Sequence, residues 1–509
     1  VNVLELTLLS PFAAALGLLV LPQRAKLAIR GVSLFAALVP CATSIWLLAR
    51  YDAAAGGFQF QILRELLPKL GLSWHLGVDG IAVPLVLLTA IIHVTSVLTS
   101  WTLKEREKEF FLFVALLVTG VYGVFVSLDL FVFFLFYELA VLPMYVLIGI
   151  WGSSMTIKGE GPFGGIFAKL GVGRKEYGAM KLTLYLLAGS AFILVGIFLL
   201  WAQFGRETGA FSFDLLGLSA MKFSGALGRG VFLLFYVGFG VLAGIWPFHT
   251  WSPDGHAAAP AAGSMMHAGV LMKLGAYGVL RLGFGLLPEA AHELAWLVGL
   301  VAVVNIIYGA LGAGWQRDIK YLIAYSSVSH MGIVMLGMAT LNEAGITGSV
   351  YQMVAHGIMT ALFFTLVNLV YAISHERDMT KMGGFAHRMP GIAAFFAIAG
   401  LSSLGLPGLA GFVAELLVFL GAWTSAHPWW LVPGVVGAFI TALYVLRAVR
   451  TIFLGPAPAG HLELRDARGV EWASFVILSG TLVLLGVWPR LIMGSLNAGV
   501  LGLLARLGN

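Results

Sequence analysis

Apolar stretches of about twenty residues recur along nearly the whole chain, each long enough to cross a bilayer core of roughly 30 Å. Inside hydrocarbon the backbone has no water to bond, so a crossing segment must satisfy its own amides as a helix or close into a barrel. Barrel strands would alternate apolar and polar residues over about ten positions, and no such pattern recurs here. Of the 509 residues 60% are hydrophobic and 11% charged, against roughly a quarter charged in a soluble chain. The composition therefore excludes a soluble globular fold and leaves an all-α integral membrane protein.

About fourteen transmembrane helices are expected, near residues 3–21, 29–48, 78–100, 109–127, 129–150, 179–203, 229–250, 262–286, 293–312, 321–340, 345–373, 391–424, 430–452 and 472–495. The first run, Val3 to Leu21, lacks a basic leader and a small-residue cleavage site, so it reads as a retained helix. Loops after odd-numbered helices hold roughly 19 basic residues, Lys158, Lys169, Arg317 and Arg377 among them, against roughly 9 on the other side. That bias puts the basic side in the cytoplasm and both termini outside. Two lysines remain, Lys181 and Lys273, and both fall within expected spans.

Two of the spans are interrupted. The seventh carries Gly238, Gly240, Gly244 and Pro247, and the twelfth clusters Gly405, Pro407, Gly408 and Gly411 at mid-span. Breaks at matching places in two five-helix blocks suggest an inverted internal repeat, as in many transporters. The blocks are 109–286 (helices 4–8) and 293–452 (helices 9–13), preceded by helices 1–3 in 1–108 and followed by a last helix, 472–495.

A charge at the bilayer centre costs about 2.5–3.5 kcal/mol on the insertion scale, so such residues are kept for a reason. Glu138 lies in the fifth span and Glu415 just after the second break. Lys273 sits deep in the eighth span, while Lys181 is near the cytoplasmic end of the sixth and could snorkel. His267 precedes Lys273 by six residues, about 9 Å along a helix and on a different face, so the two read as successive stations. His330 follows Ser326, and Thr360 follows His356, at a spacing of one helical turn. Imidazole titrates nearest neutral pH and suits proton transfer. His249 and His256, in WPFHTWSPDGH, are candidates for a half-channel or for a structural role. Water between these groups could find two or more polar partners.

Several motifs exclude other chemistries. Gly159, Gly161 and Gly164 match a dinucleotide-binding spacing but follow no strand, and no phosphate-binding G-x-x-x-x-G-K-[ST] run occurs. Cys41 is the only cysteine, so no iron–sulfur cluster, thiolate zinc site or disulfide can form within the chain. No metal site and no cofactor are expected. Moving a proton against the membrane potential costs about 2.3 kcal/mol per 100 mV, which an ion gradient or a partner must supply.

The stretches WPFHTWSPDGHAAAPAAGSMMHAGVLMKLGAYGVLR, WQRDIKYLIAYSSVSHMG and LGLPGLAGFVAEL, with the His356 segment, closely resemble the proton-conducting membrane subunits of respiratory complex I. The M-type antiporter-like subunit, counterpart of NADH dehydrogenase subunit 4, is the nearest type, over roughly residues 75–455. The chain ends soon after helix fourteen, without the lateral helix of the L-type. The resemblance implies fourteen helices, two inverted repeats, and proton translocation coupled to NADH oxidation and quinone reduction elsewhere in the complex. It further implies neighbouring membrane-arm subunits as partners, a bacterial plasma membrane, and no redox catalysis in this chain alone. Glu138 looks like the fifth-helix glutamate, Lys273 like the central lysine, His330 and His356 like relay histidines, and Glu415 like the exit residue.

Two positions depart from that pattern. The family's seventh helix usually carries a lysine where this chain has Leu242, and His267 stands where many M-type chains are apolar. Lys181 is therefore the expected partner of Glu138; failing that, this half would conduct poorly. Similar subunits also occur in membrane-bound hydrogenases, in formate-hydrogen-lyase complexes and in multi-subunit sodium/proton antiporters. A purely structural spacer is the remaining alternative.

Overall fold

In a computed structural model, residues 2–155, 171–456 and 464–508 are described. Lys158, Lys169 and the Gly159–Gly161–Gly164 motif lie outside them. Among the described residues twelve helices are long and apolar enough to cross a membrane. Shorter apolar helices, Pro390–Ser403, Ala410–Trp423 and Glu471–Val487, supply the broken twelfth span and the last one. The eighth span, 261–284, is split by two π-helical turns.

Both expected breaks are present. The first helix of the seventh span, Gly225–Ala243, stops at Gly244 in the left-handed region, and a second helix, Trp251–Ala258, follows. The freed amide of Trp246 donates to Asn305 Oδ1 of the ninth span at 2.7 Å, so the break is satisfied by protein rather than lipid. The twelfth span breaks between Ser403 and Ala410, with Gly405 at φ +71° and Gly408 at φ +95°.

An inverted pair of caps marks the two five-helix blocks. Asp129 opens the fifth span, its carboxylate accepting from the amides of Phe131 and Val132, and its backbone bridges to Asp214 before the seventh span. Asp318 opens the tenth span in the same way, accepting from Lys320 and Tyr321, and bridges to Asp378 before the twelfth. Capping aspartates satisfy otherwise orphaned helix amides. Asp129 faces the side that carries a hairpin; Asp318 faces the side rich in lysine and arginine. These sides are called the hairpin face and the basic face below.

The hairpin itself is a departure from the all-helical expectation. Strands β1 (Gln59–Leu67) and β2 (Leu72–Val78) pair antiparallel through Gly71, which sits at φ +67°. The third span consequently starts at Ala82, not at 78, with Asp79 Oδ1 accepting from the amides of Ile81 and Ala82. His75 Nδ1 lies 2.5 Å from Asp214 Oδ1, and Ser73 donates twice to Asp129 Oδ2. The hairpin is thus fastened to the loops before the fifth and seventh spans.

The last expected span, 472–495, also ends differently. Its helix is Glu471–Val487, and after Trp488 and Pro489 a separate helix, Arg490–Leu507, begins. That helix is one of the twelve by length and apolarity, yet its contacts gather at one face of the bundle. It lies over Gly80 at the start of the third span, Thr347 donates to Asn497 Oδ1 at 3.4 Å, and His292 Nε2 is 2.8 Å from Leu507 O at the start of the ninth. All of these positions are on the hairpin face. Beneath it, Arg281 pairs with Asp79 at 2.6 Å, both nearly buried, and the guanidinium rests against Phe58 and Tyr277.

Candidate functional site: a buried polar row

The eighth span positions the central charge. Its π-helical turns at His267–Leu271 and Val279–Phe284 flank the short α-helix Met272–Gly278 that carries Lys273. A π turn leaves a carbonyl without its usual amide, a reason such turns gather at functional sites. The Lys273 ammonium donates to Ala268 O, within the first of these turns. Lys273 is fully buried, and its Nζ also lies 2.6 Å from His356 Nδ1 on the eleventh span.

That contact depends on close backbone approach. Gly269 and Gly357 face one another beside the pair, and a Cβ on Gly357 would fall 2.6 Å from Gly269 O. Any larger residue at this crossing would push the two spans apart.

From His356 the row continues into the second half. The His356 and His330 rings are 5.3 Å apart between centroids. His330 Nδ1 lies 3.0 Å from Gln352 Nε2, and its Nε2 lies 3.1 Å from Ser403 Oγ. Gln352 and Ser403 thus hold the two ring nitrogens of His330, one of which donates and the other accepts in the neutral ring. Glu415 Oε1 is 3.7 Å from His330 Nδ1, within ion-pair reach but beyond a hydrogen bond. The break in the twelfth span makes room for this carboxylate, since a Cβ on Gly405 would stand 2.6 Å from Glu415 Oε2. Tyr444 extends the polar surface by donating to Ser326 Oγ at 2.9 Å.

On the other side of Lys273 lie two more histidines. The His256 and His267 rings are 4.2 Å apart, and His267 also packs on Trp251, whose indole N–H is held by Val241 O. Both histidines are fully buried, and among the described residues none bonds any of their four ring nitrogens. His249, packed on Tyr308, is likewise buried with both ring nitrogens unbonded, but it contacts none of the histidines in the row.

The first half is built differently, and two expectations are corrected. Lys181 does not partner Glu138. Its Nζ is 2.7 Å from Asp254 Oδ2 near the basic face, and Tyr321 donates to the same carboxylate at 2.9 Å. Lys181 is near the end of its span, where the ammonium reaches the aqueous boundary and an acid waiting there. Glu138 does not join the row either. It is half-buried on a side of the fifth span whose neighbours Leu135, Leu142 and Tyr145 are exposed, and it stands beside Ser190. Among the described residues it has no ion-pair partner, and its Oε1 has no hydrogen-bond donor. Phe239 fills the space between, meeting Tyr137 and Phe133 edge-on while Gly275 and Gly278 of the eighth span press against it. Leu242, at the position noted for its missing lysine, is fully buried in this layer.

Three contributors escaped the sequence reading: Gln352, Ser403 and Asp254. Gln352 is four residues before His356 on one helical face, a signal that was available. Ser403 and Asp254 come from distant segments and carry no local signature.

A family model described as NADH:quinone oxidoreductase/Mrp antiporter, transmembrane, matches residues 169–441. The chain is 38% identical over 494 residues to the NAD(P)H-quinone oxidoreductase chain 4 of Thermosynechococcus vestitus, covering 95% of this chain and 88% of that one. A chain in the structure of respiratory complex I from Thermus thermophilus with bound NADH superposes with a TM-score of 0.87 at 26% identity, over 100% of both. A chain of the Mrp complex from Dietzia sp. shares the fold at a TM-score of 0.82 and 20% identity, over 98% of this chain and 97% of that one.

Proposed function

Because this chain belongs to the NADH:quinone oxidoreductase/Mrp antiporter membrane family, we propose that it translocates protons as a membrane-arm subunit of a complex I-type quinone oxidoreductase. It works in a bacterial plasma membrane beside other antiporter-like subunits, with electron transfer handled elsewhere in the complex. The carrying observation is the unbroken buried contact series Lys273–His356–His330–Glu415.

The chemistry follows from proximity. An ammonium and an imidazole 2.6 Å apart in a low-dielectric interior cannot both be charged without strong repulsion. A proton on Lys273 therefore disfavours one on His356, and losing it from Lys273 lets the imidazole charge. His330 receives the proton next, and Glu415 at 3.7 Å gains an ion pair as His330 becomes charged. Each transfer changes the proton affinity of its neighbour, so a charge displaced at one end of the row is felt at the other. Energy for the transfer comes from quinone reduction elsewhere in the complex.

The test is proton uptake by vesicles containing the intact complex, with quinone reduction followed in parallel. Lys273→Ala should assemble yet lose this subunit's share of proton translocation. Wild-type translocation by the assembled variant would refute the reading, and uptake that required sodium would favour a sodium/proton exchanger instead.

A further inference from the structure

We infer that His256 and His267 form the intake limb of this relay, delivering protons from the basic face to Lys273, and that Glu138 lies outside the route. The inference rests on the proton-relay reading above and adds where the protons enter.

Two buried, aromatic-packed histidines 4.2 Å apart would ordinarily be held by hydrogen bonds to neighbouring groups. These are not: among the described residues neither nitrogen of either ring has a partner, although both residues are fully buried. Leaving a buried polar atom without a hydrogen bond is costly. Four such atoms side by side offer a water molecule the several polar partners it needs. His356 Nε2, on the far side of the Lys273 contact, is unbonded in the same way. The unpartnered nitrogens therefore flank Lys273 on both sides, and the π turn at 267–271 lies between His267 and the lysine.

The limb reaches the surface through its own helix. His256 is two residues after Asp254, which with Lys181 and Tyr321 forms a polar cluster about one-sixth exposed at the basic face. A shallow notch there is floored by Asp254, Ala257 and Ala258, the turn that holds His256. Lys320, nearly buried, points at Ala259 O from the tenth span, so cationic and acidic groups both border the entrance. A proton taken up at His256 passes by water to His267 while a proton on His267 moves to the neutral amine of Lys273. Each ring returns to its neutral form, and one proton has been advanced.

Glu138 Oε1 and the neighbouring Tyr137 hydroxyl are also unbonded among the described residues, but the helices on the way to Lys273 pack closely. Between Glu138 and Lys273 the sixth, seventh and eighth spans meet backbone to backbone: a Cβ on Gly189 would lie 2.8 Å from Gly238 O, and one on Gly275 2.5 Å from both Ala243 N and Phe239 O. Helices this close leave no room for water between them.

The experiment uses the intact complex in vesicles and compares three variants. His267→Gln keeps an amide of similar size but cannot titrate; it should lower protons moved per quinone reduced to the level of Lys273→Ala, while Glu138→Gln should match wild type. Assembly is followed by the yield of intact complex. Should His267→Gln fail to assemble, the Glu138→Gln arm still decides, because a loss as deep as that of Lys273→Ala overturns the inference. Wild-type translocation by assembled His267→Gln overturns it as well. If Lys273→Ala itself translocates normally, the underlying relay reading has failed, and not merely the choice of entrance.

Discussion

The two halves of this molecule each carry a glutamate within a span and a broken helix, but Glu415 is buried against the polar row while Glu138 is half-buried away from it. Around Glu415 the break is lined by polar partners: His330, Ser403 and Gln352 meet there, and Gly405 keeps the space open. Around Glu138 the corresponding region is closed by Phe239, Leu242 and a glycine-mediated backbone contact. The two five-helix blocks thus differ in what surrounds their glutamates: a continuous row of polar side chains in one, a packed apolar layer in the other. Helix breaks and buried carboxylates therefore do not make a proton path by themselves. What makes one is a succession of titratable groups close enough for each to alter the next.

Substitutions can break or sharpen this contrast. The deepest effect is expected from Lys273→Ala, which removes the ammonium that touches His356 and should cut this subunit's proton translocation by about a hundredfold or more, as loss of a positioned acid–base group does. Vesicle acidification alongside quinone reduction checks it. Asp79→Ala leaves Arg281 buried without its partner and should destabilise the assembled chain by about 3–5 kcal/mol, read as a lower thermal midpoint of the complex. Gly405→Ala should cost about 1–2 kcal/mol for a left-handed residue that has gained a Cβ. It should also slow proton transfer by displacing the Glu415 carboxylate, whereas an alanine at Gly209, with open space around it, should leave translocation unchanged. Lys181→Ala removes a partly exposed ion pair, and a stability change of about 1 kcal/mol or less is expected. The smallest effect is that of Glu138→Gln, with translocation at the wild-type level; a large loss there would erase the contrast between the halves.

Much of this architecture could be read from the sequence, because hydrophobic run length is a strong signal and buried charges stand out against it. The spans, both breaks and the depth of Lys273, His330, His356 and Glu415 follow from that alone. What could not be read depends on short-range geometry or distant pairing. The hairpin Gln59–Val78 alternates over too few residues to stand out beside twenty-residue apolar runs. The turn at Trp488–Pro489 sits in an apolar stretch, so the final helix reads as more of the span before it. The π turns flanking Lys273 have no sequence signature. Lys181 and Asp254 are 73 residues apart, and nothing local to either points to the other. The missing link at Leu242 was visible, but its consequence was not. Absence of a lysine can be offset by another residue, and only the packing of Phe239 against Tyr137 and Gly278 rules that out here.

A density map of the assembled complex, at a resolution that shows water, would test the wiring most directly. Ordered water bonded to the ring nitrogens of His256 and His267 and leading to Lys273, with none between Glu138 and Lys273, is the predicted result. Water joining Glu138 to Lys273 past Phe239, or a dry shell around the two histidines, would contradict it.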